Sequence, residues 1–492
     1  MTSESLGSGI SYRGKKYITH TNLHHSNSAV ITFTNYQKLL LFLGILLIVV
    51  SLSLHGKSAL LYFIYFITVV YFIDLLFNLW VASIGFFNSP EIKVGEKQLN
   101  ELREADLPVY SIFCPLYKEW DVVDQFVAAI SKIDWPKEKL DVQLLLEEDD
   151  EETIQQIKKM DLPEYFHIVV VPHGFPKTKP KACNYGLHHA KGEYIVIYDA
   201  EDIPDPKQLK IAYSVLSQSK NDRIVCAQAK LNFYNSNQNL LTRLFSAEYA
   251  LWFELMLAGL QRLRAPIPLG GTSNHFRSKD LRLLEGWDPF NVTEDCDLGI
   301  RIAKLGFETV VIDSTTLEEA NSQVGNWIRQ RSRWIKGYMQ SYLVHMRRPS
   351  DFFRGYKNPQ ILSFQLVVGG KVASLFINPC MWILTILYFM FRDTVGPIID
   401  PLFPPAVLYL GVISLLAGNF IFFYCYVLGI AKRQQWGVVW AAFFVPFYWL
   451  LISIAAWKGL WQLIFRPHYW EKTTHGLHLK HMASLESEIV KA

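Results

Sequence analysis

Two apolar runs near the start, Leu39 to Leu54 and Ala59 to Trp80, limit what this chain can become more than any other feature. They are interrupted mainly by Asp74 and Asn78, and each can approximately cross the ~30 Å hydrocarbon layer of a bilayer as a helix. His55-Gly56-Lys57 between them is short enough only for a tight turn. Apolar runs return after residue 351, at Ile361 to Phe391, Val407 to Ile430 and Val438 to Ala456. Half of the 492 residues are apolar and 19% are charged, below the usual quarter. That balance suits a membrane protein carrying a soluble domain.

The divisions follow from these runs. Residues 1–36 are polar and read as a flexible cytoplasmic tail, and 37–87 as two transmembrane helices. Residues 88–351 read as a cytoplasmic soluble domain, 352–466 as an interfacial segment with further spans, and 467–492 as a polar tail. Arg13, Lys15 and Lys16 favour a cytoplasmic N-terminus. The late first run, without a small-residue cleavage pattern, argues against a cleaved leader. Lys432 and Arg433 take the cytoplasmic side, and the loop with Asp393 and Asp400 faces out. That count leaves the C-terminus outside, although the tail is basic. Either Ile361 to Phe391 crosses twice, or one later segment does not cross fully.

Net charge of +3 carries no nucleic-acid footprint. The six cysteines (114, 183, 226, 296, 380 and 425) form no CxxC pair and read as buried small apolar residues rather than a zinc site or disulfide framework. His475, His478 and His481 read as part of a solvated tail.

Between the membrane runs the pattern alternates. Val109 to Phe113, Val142 to Leu146, Ile168 to Val171, Tyr194 to Tyr198 and Ile224 to Ala227 read as short buried strands. In Trp120 to Ile133, Val122, Val123, Phe126, Val127 and Ile130 form one helical stripe. Alternating strand and helix predicts an α/β domain with a mostly parallel sheet and ligands at the strands' carboxyl ends. Three polar clusters follow strands: Pro115 to Glu119, Glu147 to Asp150, and Asp199-Ala200-Glu201.

The last of these ends the run from Tyr194 in Asp199, Glu201, Asp202 and Asp205, with Pro204 and Pro206 stopping the strand. Two carboxylates at a strand's carboxyl end suit Mg²⁺ or Mn²⁺, hard cations that complete their shell with water and phosphate oxygens. An acidic surface turn would read the same. Thr293-Glu294-Asp295 is an acidic helix start, favourable with the helix dipole, or a site in which Asp295 is a general base. In Asn326 to Val344, Trp327, Gln330 and Trp334 recur among Arg329, Arg331, Arg333 and Lys336. That is either a basic amphipathic helix on an anionic leaflet or a site where Arg333 meets diphosphate and Trp334 stacks on sugar.

In this order, Asp199-Ala-Glu201, Thr293-Glu-Asp295 and Gln330-Arg-Ser-Arg-Trp334 resemble the signature of processive, inverting family-2 glycosyltransferases, the group of cellulose, chitin, curdlan and hyaluronan synthases. The QxxRW sequence is its most specific element. Pro115 to Glu119 resembles the family's opening turn, Lys179-Pro-Lys-Ala-Cys-Asn184 its substrate-binding lysine segment, Gly270 to Phe276 its acceptor-side loop, and Tyr469 to Gly476 a tail motif of bacterial members. Two departures stand out. Asp-x-Asp appears as Asp199-Ala-Glu201, leaving Glu201 or Asp202 as the second metal ligand, and the paired aspartates appear as Glu147-Glu-Asp-Asp150.

The resemblance implies a GT-A, Rossmann-like nucleotide-sugar-binding domain between transmembrane helices in a bacterial inner membrane. It implies inverting transfer from a nucleotide diphosphate sugar, UDP-linked, to a growing polysaccharide, coupled to export. Asp295 would be the base, with Glu294 and Asp199 beside it in the catalytic set. Glu147, Asp149, Lys179, Asn184, Gln330, Arg333 and Trp334 would bind substrate. Asp199 with Glu201 or Asp202 would hold Mg²⁺ or Mn²⁺. Two other readings fit: a non-processive enzyme that places one sugar on a lipid, and a membrane receptor or transport component whose transferase domain only binds a ligand.

Overall fold

Residues 8–33 do not hang loose as expected. The computed structural model describes residues 8–219, 221–353 and 360–473, so the C-terminal histidine cluster lies outside the described residues. β1 (Gly9–Tyr12) and β2 (Lys15–Ile18) form an antiparallel hairpin. Ile10, Ala29 and Val30 bury against Phe290 and Val344. Ser28 Oγ donates to Asp288 Oδ1 at 2.7 Å and the Ala29 N–H to Asp288 Oδ2 at 2.6 Å. The Arg347 guanidinium donates to the carbonyls of Ser26, Ser28 and Ile31. All these partners lie more than 250 residues away, so local composition could not show that the segment is held.

Thr34 then caps α1 (Asn35–Phe87) through a reciprocal bond with Gln37. A straight helix of these 53 residues would run about 80 Å. Yet Gln37 near its start donates to Leu343 O (2.7 Å), and Gly85 near its end packs on Leu255 of the same domain. The one non-helical residue, Gly56 (φ 30°, ψ −98°), breaks the run between them and lets both ends reach the domain. The expected three-residue turn is thus a single glycine in a positive-φ conformation.

The soluble domain is built on an eight-stranded sheet in the order β5-β4-β3-β6-β9-β8-β10-β7. Its strands are β3 (Tyr110–Leu116), β4 (Leu140–Glu147), β5 (Phe166–Val171), β6 (Tyr194–Ile197), β7 (Ile203–Pro204), β8 (Ile224–Phe233), β9 (Asn274–Arg277) and β10 (Glu308–Glu318). β5, β4, β3 and β6 are mutually parallel, as are β8 and β10; β9 runs antiparallel between β6 and β8, and β7 antiparallel on β10. The five strands expected from apolar runs are all present. β7, β9 and β10 were missed; β7 is two residues long and contains Pro204, read as a strand stop. β9 is short and polar, and β10 (ETVVIDSTTLE) carries charge at both ends.

Helices pack on both faces. α2 (Val123–Ser131) buries Val123, Phe126, Ala129 and Ile130, the stripe its spacing predicts. α3 (Lys179–His189) follows β5, and α4 (Leu240–Leu251) runs through a π-helical turn (Trp252–Met256) into a short helix, Leu257–Arg262. α5 (Glu294–Lys304) and α6 (Val324–His345) carry the two later motifs. Five of the six cysteines are buried; Cys380 is exposed.

Among the described residues, four helical segments are long and apolar enough to cross a membrane: Asn35–Phe87, Gln360–Met390, Pro405–Lys432 and Trp436–Phe465. Within them, α7 (Lys371–Met390), α8 (Pro405–Lys432) and α9 (Val445–Phe465) are regular α-helix. The last segment touches the soluble domain at both ends. Arg243 donates to Gly437 O (2.7 Å) at its start, and a Cβ on Gly459 would lie 2.8 Å from Ser332 O near its end. Past it, Lys336 Nζ donates to Tyr469 O (2.5 Å) and Gln340 to Pro467 O (2.9 Å). Residues 467–473, expected as the start of a free polar tail, therefore lie against the domain.

The contact between α1 and the domain is backbone on backbone. A Cβ on Gly85 would lie 1.9 Å from Leu255 O, and one on Gly259 would lie 2.1 Å from Val81 O. Gly85→Val or Gly259→Val must push the helices apart, an overpacking cost of roughly 1–3 kcal/mol. Each should lower the thermal unfolding midpoint of the detergent-solubilised protein. An unchanged midpoint for both would show that this contact does not hold the two parts together.

Candidate active site

One cavity of about 600 Å³ opens at the carboxyl ends of β3, β4 and β6 and continues between the membrane helices. Its domain end is acidic. The chain leaves β6 at Tyr198 and turns immediately, because the Asp199 N–H donates to Asp202 Oδ2 (2.7 Å) and the Thr272 hydroxyl donates to the same oxygen. This turn aims Asp199 and Glu201 into the cavity, while Asp202 is fully buried behind them and does not line it. Asp202 is therefore the brace of the turn, and the two cavity-facing carboxylates are Asp199 and Glu201.

Glu318 and Glu319, at the end of β10, line the same space. Burial, with the charges of Asp202, Asp199 and Glu201, pushes the Glu318 carboxyl well above the ordinary range. These two were not singled out in the sequence. They follow a strand whose ends are charged, and the register that puts β10 beside β8 is needed to bring them here.

Lys179 stands among these acids at the start of α3. Its Nζ donates to Asp199 Oδ1 (2.5 Å) and Gly271 O (2.8 Å). Burial opposes its charge, but Asp199 and Glu294 outweigh burial and hold the ammonium above its ordinary value. Lys181, on the same helix, is buried and pairs with Glu147 (3.1 Å), which is buried too but still reaches the cavity wall. Asp149 pairs with Lys177 at the surface and does not line the cavity. Asn184 is also away from it. Its amide donates to Thr19 O and Trp287 O and accepts from the Trp287 N–H, fastening the N-terminal segment to the domain. The sequence reading of Asn184 as a substrate contact is corrected on that ground: it is fully buried with both amide atoms engaged.

Asp295 and Glu294 face the cavity from the first turn of α5. Asp295 Oδ1 accepts from the Cys296 N–H (2.7 Å). Burial pushes the Asp295 carboxyl up to about 6, against the pull of Lys179 and Arg333. Burial and the neighbouring Asp295 charge push Glu294 up to about 7. Two carboxyls held near neutrality beside two cations are suited to proton transfer.

α6 supplies the opposite wall with Gln330, Arg333 and Trp334. Gln330 Oε1 and Arg333 Nε are buried without hydrogen-bond partners among the described residues, and such atoms call for a ligand or water. The Arg333 guanidinium lies 4.6 Å from the Trp470 ring. Arg331 lines the cavity as well. It forms a two-pronged ion pair with Glu248 (3.0 and 2.5 Å), bonds Tyr448 Oη (3.1 Å), and stacks over Phe245 at 4.4 Å and Trp334 at 4.6 Å. The intervening residue of the QxxRW motif thus fixes the tryptophan's ring.

Lys472 closes the rim, pairing with Glu119 (3.2 Å) and donating to Tyr117 O (2.5 Å). Trp470, Lys472 and Thr473 all line the cavity; the rest of the tail motif, 474–476, lies outside the described residues. For a divalent cation the donor set fits in part. Asp199 and Glu201 supply hard oxygens, and the crowding of carboxylates around Glu318 is what a cation would relieve. Among the described residues no three such side chains enclose a metal by themselves. A bound cation would draw the rest of its shell from water and phosphate.

Residues 108–337 match the family described as Glycosyltransferase like family 2. The chain is 25% identical over 285 residues to a probable glycosyltransferase, YdaM, of Bacillus subtilis (strain 168), matching 57% of this chain and 66% of that one. It is 25% identical over 308 residues to a probable glucomannan 4-beta-mannosyltransferase of Arabidopsis thaliana, matching 57% of this chain and 56% of that one. The chain thus spans less than two thirds of the length of these curated relatives. Among solved structures it is similar to the mannosyltransferase PcManGT from Pyrobaculum calidifontis in complex with GDP-Man and Mn²⁺, at 15% identity and a TM-score of 0.46, covering 82% of this chain and 99% of that one. The family match over residues 108–337, with the sheet and its cavity, fits a family 2 glycosyltransferase domain of GT-A type set between helices long and apolar enough to cross a membrane.

Proposed function

We propose that the chain is a membrane-embedded hexosyltransferase that moves a sugar, with inversion, from a nucleotide diphosphate donor to a growing polysaccharide and passes the product toward the membrane. The observation that supports this best is the continuity of one cavity from Asp199 and Lys179, past Asp295 and Trp334, to membrane-helix residues such as Lys371 and Tyr426. A donor held at the sheet edge and an acceptor entering from the membrane side would meet at Asp295. The domain would lie on the cytoplasmic side of a bacterial inner membrane, where activated sugars are made. Trp436–Phe465 would lie at the interface rather than cross. The proposed donor is a UDP-sugar.

In this mechanism Trp334 and Gln330 hold the terminal sugar of the acceptor with one hydroxyl toward Asp295. The Asp295 carboxylate takes that proton as the hydroxyl oxygen bonds to the anomeric carbon of the donor. The bond from that carbon to the diphosphate breaks on the opposite face, so the configuration inverts. Lys179 and Arg333 balance the charge that gathers on the leaving nucleotide. Mg²⁺ or Mn²⁺ at Asp199 and Glu201 would add Lewis-acid neutralisation of the same diphosphate.

Purified protein given a panel of UDP- and GDP-hexoses should release nucleoside diphosphate and build an elongating glycan. Asp199→Asn and chelation should each abolish transfer. Full activity in excess chelator would remove the metal from the mechanism, and a product limited to one sugar on a lipid would replace polymerisation by the glycolipid reading.

The base has its own signature. Asp295 accepts a proton only when ionised, and its carboxyl is raised to about 6. kcat/KM should therefore rise with pH through that value and level off above it, falling about tenfold per unit on the acid side. Asp295→Asn should lose roughly 10²–10⁴-fold in rate and the acid limb with it. If the variant keeps near-normal activity and the same limb, Asp295 is only a helix start.

A further inference from the structure

The mechanism leaves a group of polar side chains in the membrane-facing half of the cavity unused. Trp252 opens the π turn Trp252–Met256, and Lys371 directly follows a second π turn, Gln365–Gly370. A π turn carries one extra residue, shifts the helix face beyond it, and is found mostly at functional sites. Here the two turns meet: Lys371 Nζ lies 4.2 Å from the centre of the Trp252 ring. Asp74 comes in from α1. Among the described residues its Oδ1 is buried without a hydrogen-bond partner, and a Cβ on Gly370 would lie 2.7 Å from that oxygen. Asn78 and Asn378 line the same space. Charged groups at membrane depth are costly and mark substrate paths.

We infer that Trp252, Lys371 and Asp74 form a subsite for an uncharged hexosyl unit of the acceptor chain, beyond the sugar that reacts at Asp295. This rests on the glycosyltransferase reading above. One positive and one negative side chain leave the subsite neutral overall. A phosphate drawn to Lys371 would also face Asp74. A sugar hydroxyl instead donates to the carboxylate and accepts from the ammonium, and its C–H face packs on an indole. The two asparagine amides give and take hydrogen bonds in the same way. The subsite therefore selects a neutral glycan over a polyprenyl phosphate, and it would hold the product between additions.

The test uses the full chain in detergent, a donor found active in the panel, and two separate acceptors: short neutral oligosaccharides and polyprenyl phosphate. Lys371→Met and Asp74→Asn are close in size to the originals. Each should raise the oligosaccharide KM about 10-fold, as expected for one lost hydrogen bond to a charged group. kcat should fall much less, and completed products should be shorter. Trp252→Leu should act in the same direction. Nucleotide-sugar affinity close to wild type shows that the variants are folded. Unchanged KM and product length in both Lys371→Met and Asp74→Asn overturn the subsite. Transfer to polyprenyl phosphate alone, lost in Lys371→Met, overturns the neutral-glycan assignment. Wild-type protein that transfers no sugar from any donor overturns the glycosyltransferase reading itself, whereas active wild type with unmoved variants removes only the subsite.

Discussion

α6 is the element on which the site depends, because it is wedged between the loop that leads into Asp295 and helix α9. A Cβ on Gly337 would lie 2.2 Å from Thr293 Oγ1, so α6 rides directly on the loop that aims Asp295. Asn291 donates to Ser341 Oγ (2.9 Å) and the Val292 N–H to Gln340 Oε1 (3.1 Å), which fixes the register of the two. On its other side α6 meets α9 closely enough that Gly459 has no room for a side chain. Arg331 ties α6 to α4 through Glu248 and to α9 through Tyr448. Tyr448 Oη donates to Glu248 Oε2 (2.6 Å), completing a closed set of three polar groups. Breaking such a buried pair by removing one partner costs about 3–5 kcal/mol, far more than a surface ion pair. The orientation of the Trp334 ring is thus set by packing and charge together.

The same wedge explains how a highly acidic cavity is tolerated. Asp199, Glu201, Glu294, Asp295, Glu318 and Glu319 all line it, with Lys179 and Arg333 as the cations nearest the base pair. Lys179 reaches them only because α3 starts directly after the β5 loop, and Arg333 only because α6 is pressed against Thr293. Burial then works on the remaining excess of negative charge by raising the carboxyls rather than by pairing them. A site of this kind gains from any ligand that brings positive charge to one end and leaves with negative charge from the other.

Much of this was legible in the chain. The apolar runs located the membrane helices and the five core strands, because burial on both faces writes a continuous apolar signal. Asp199, Glu201, Lys179, Asp295, Gln330, Arg333 and Trp334, far apart in sequence, line one cavity. What stayed hidden is what only tertiary contact decides. Asp202 and Glu201 are equally acidic neighbours, and only the Thr272 hydroxyl and the Asp199 N–H turn one inward and leave the other at the cavity. Glu318 and Glu319 read as the frayed end of a charged strand. Asn184 stands close to Lys179 in the chain but spends its amide on Thr19 and Trp287. Residues 8–33 look like a tail because their apolar partners, Phe290 and Val344, are supplied from the far end of the domain.

The tie between the domain and the membrane helices follows a different logic from the core. At the end of α8, Arg433 pairs with Glu254 (3.1 Å) and donates to Leu231 O (2.8 Å). Glu254 also pairs with Lys230 (2.9 Å), which in turn meets Glu91 and Asp313. These charges are largely buried, and well-packed apolar residues would hold the joint at least as firmly. What ions add is direction. Lys230 comes from β8, Glu91 from the segment after α1, Asp313 from β10, and Glu254 from the π turn that presents Trp252. An apolar joint could slide by a turn with little loss, whereas this one leaves a buried charge unpaired unless all four segments meet in one register. The membrane end of the cavity is thereby held in line with the end that carries Asp199 and Asp295, and the two share a single continuous space.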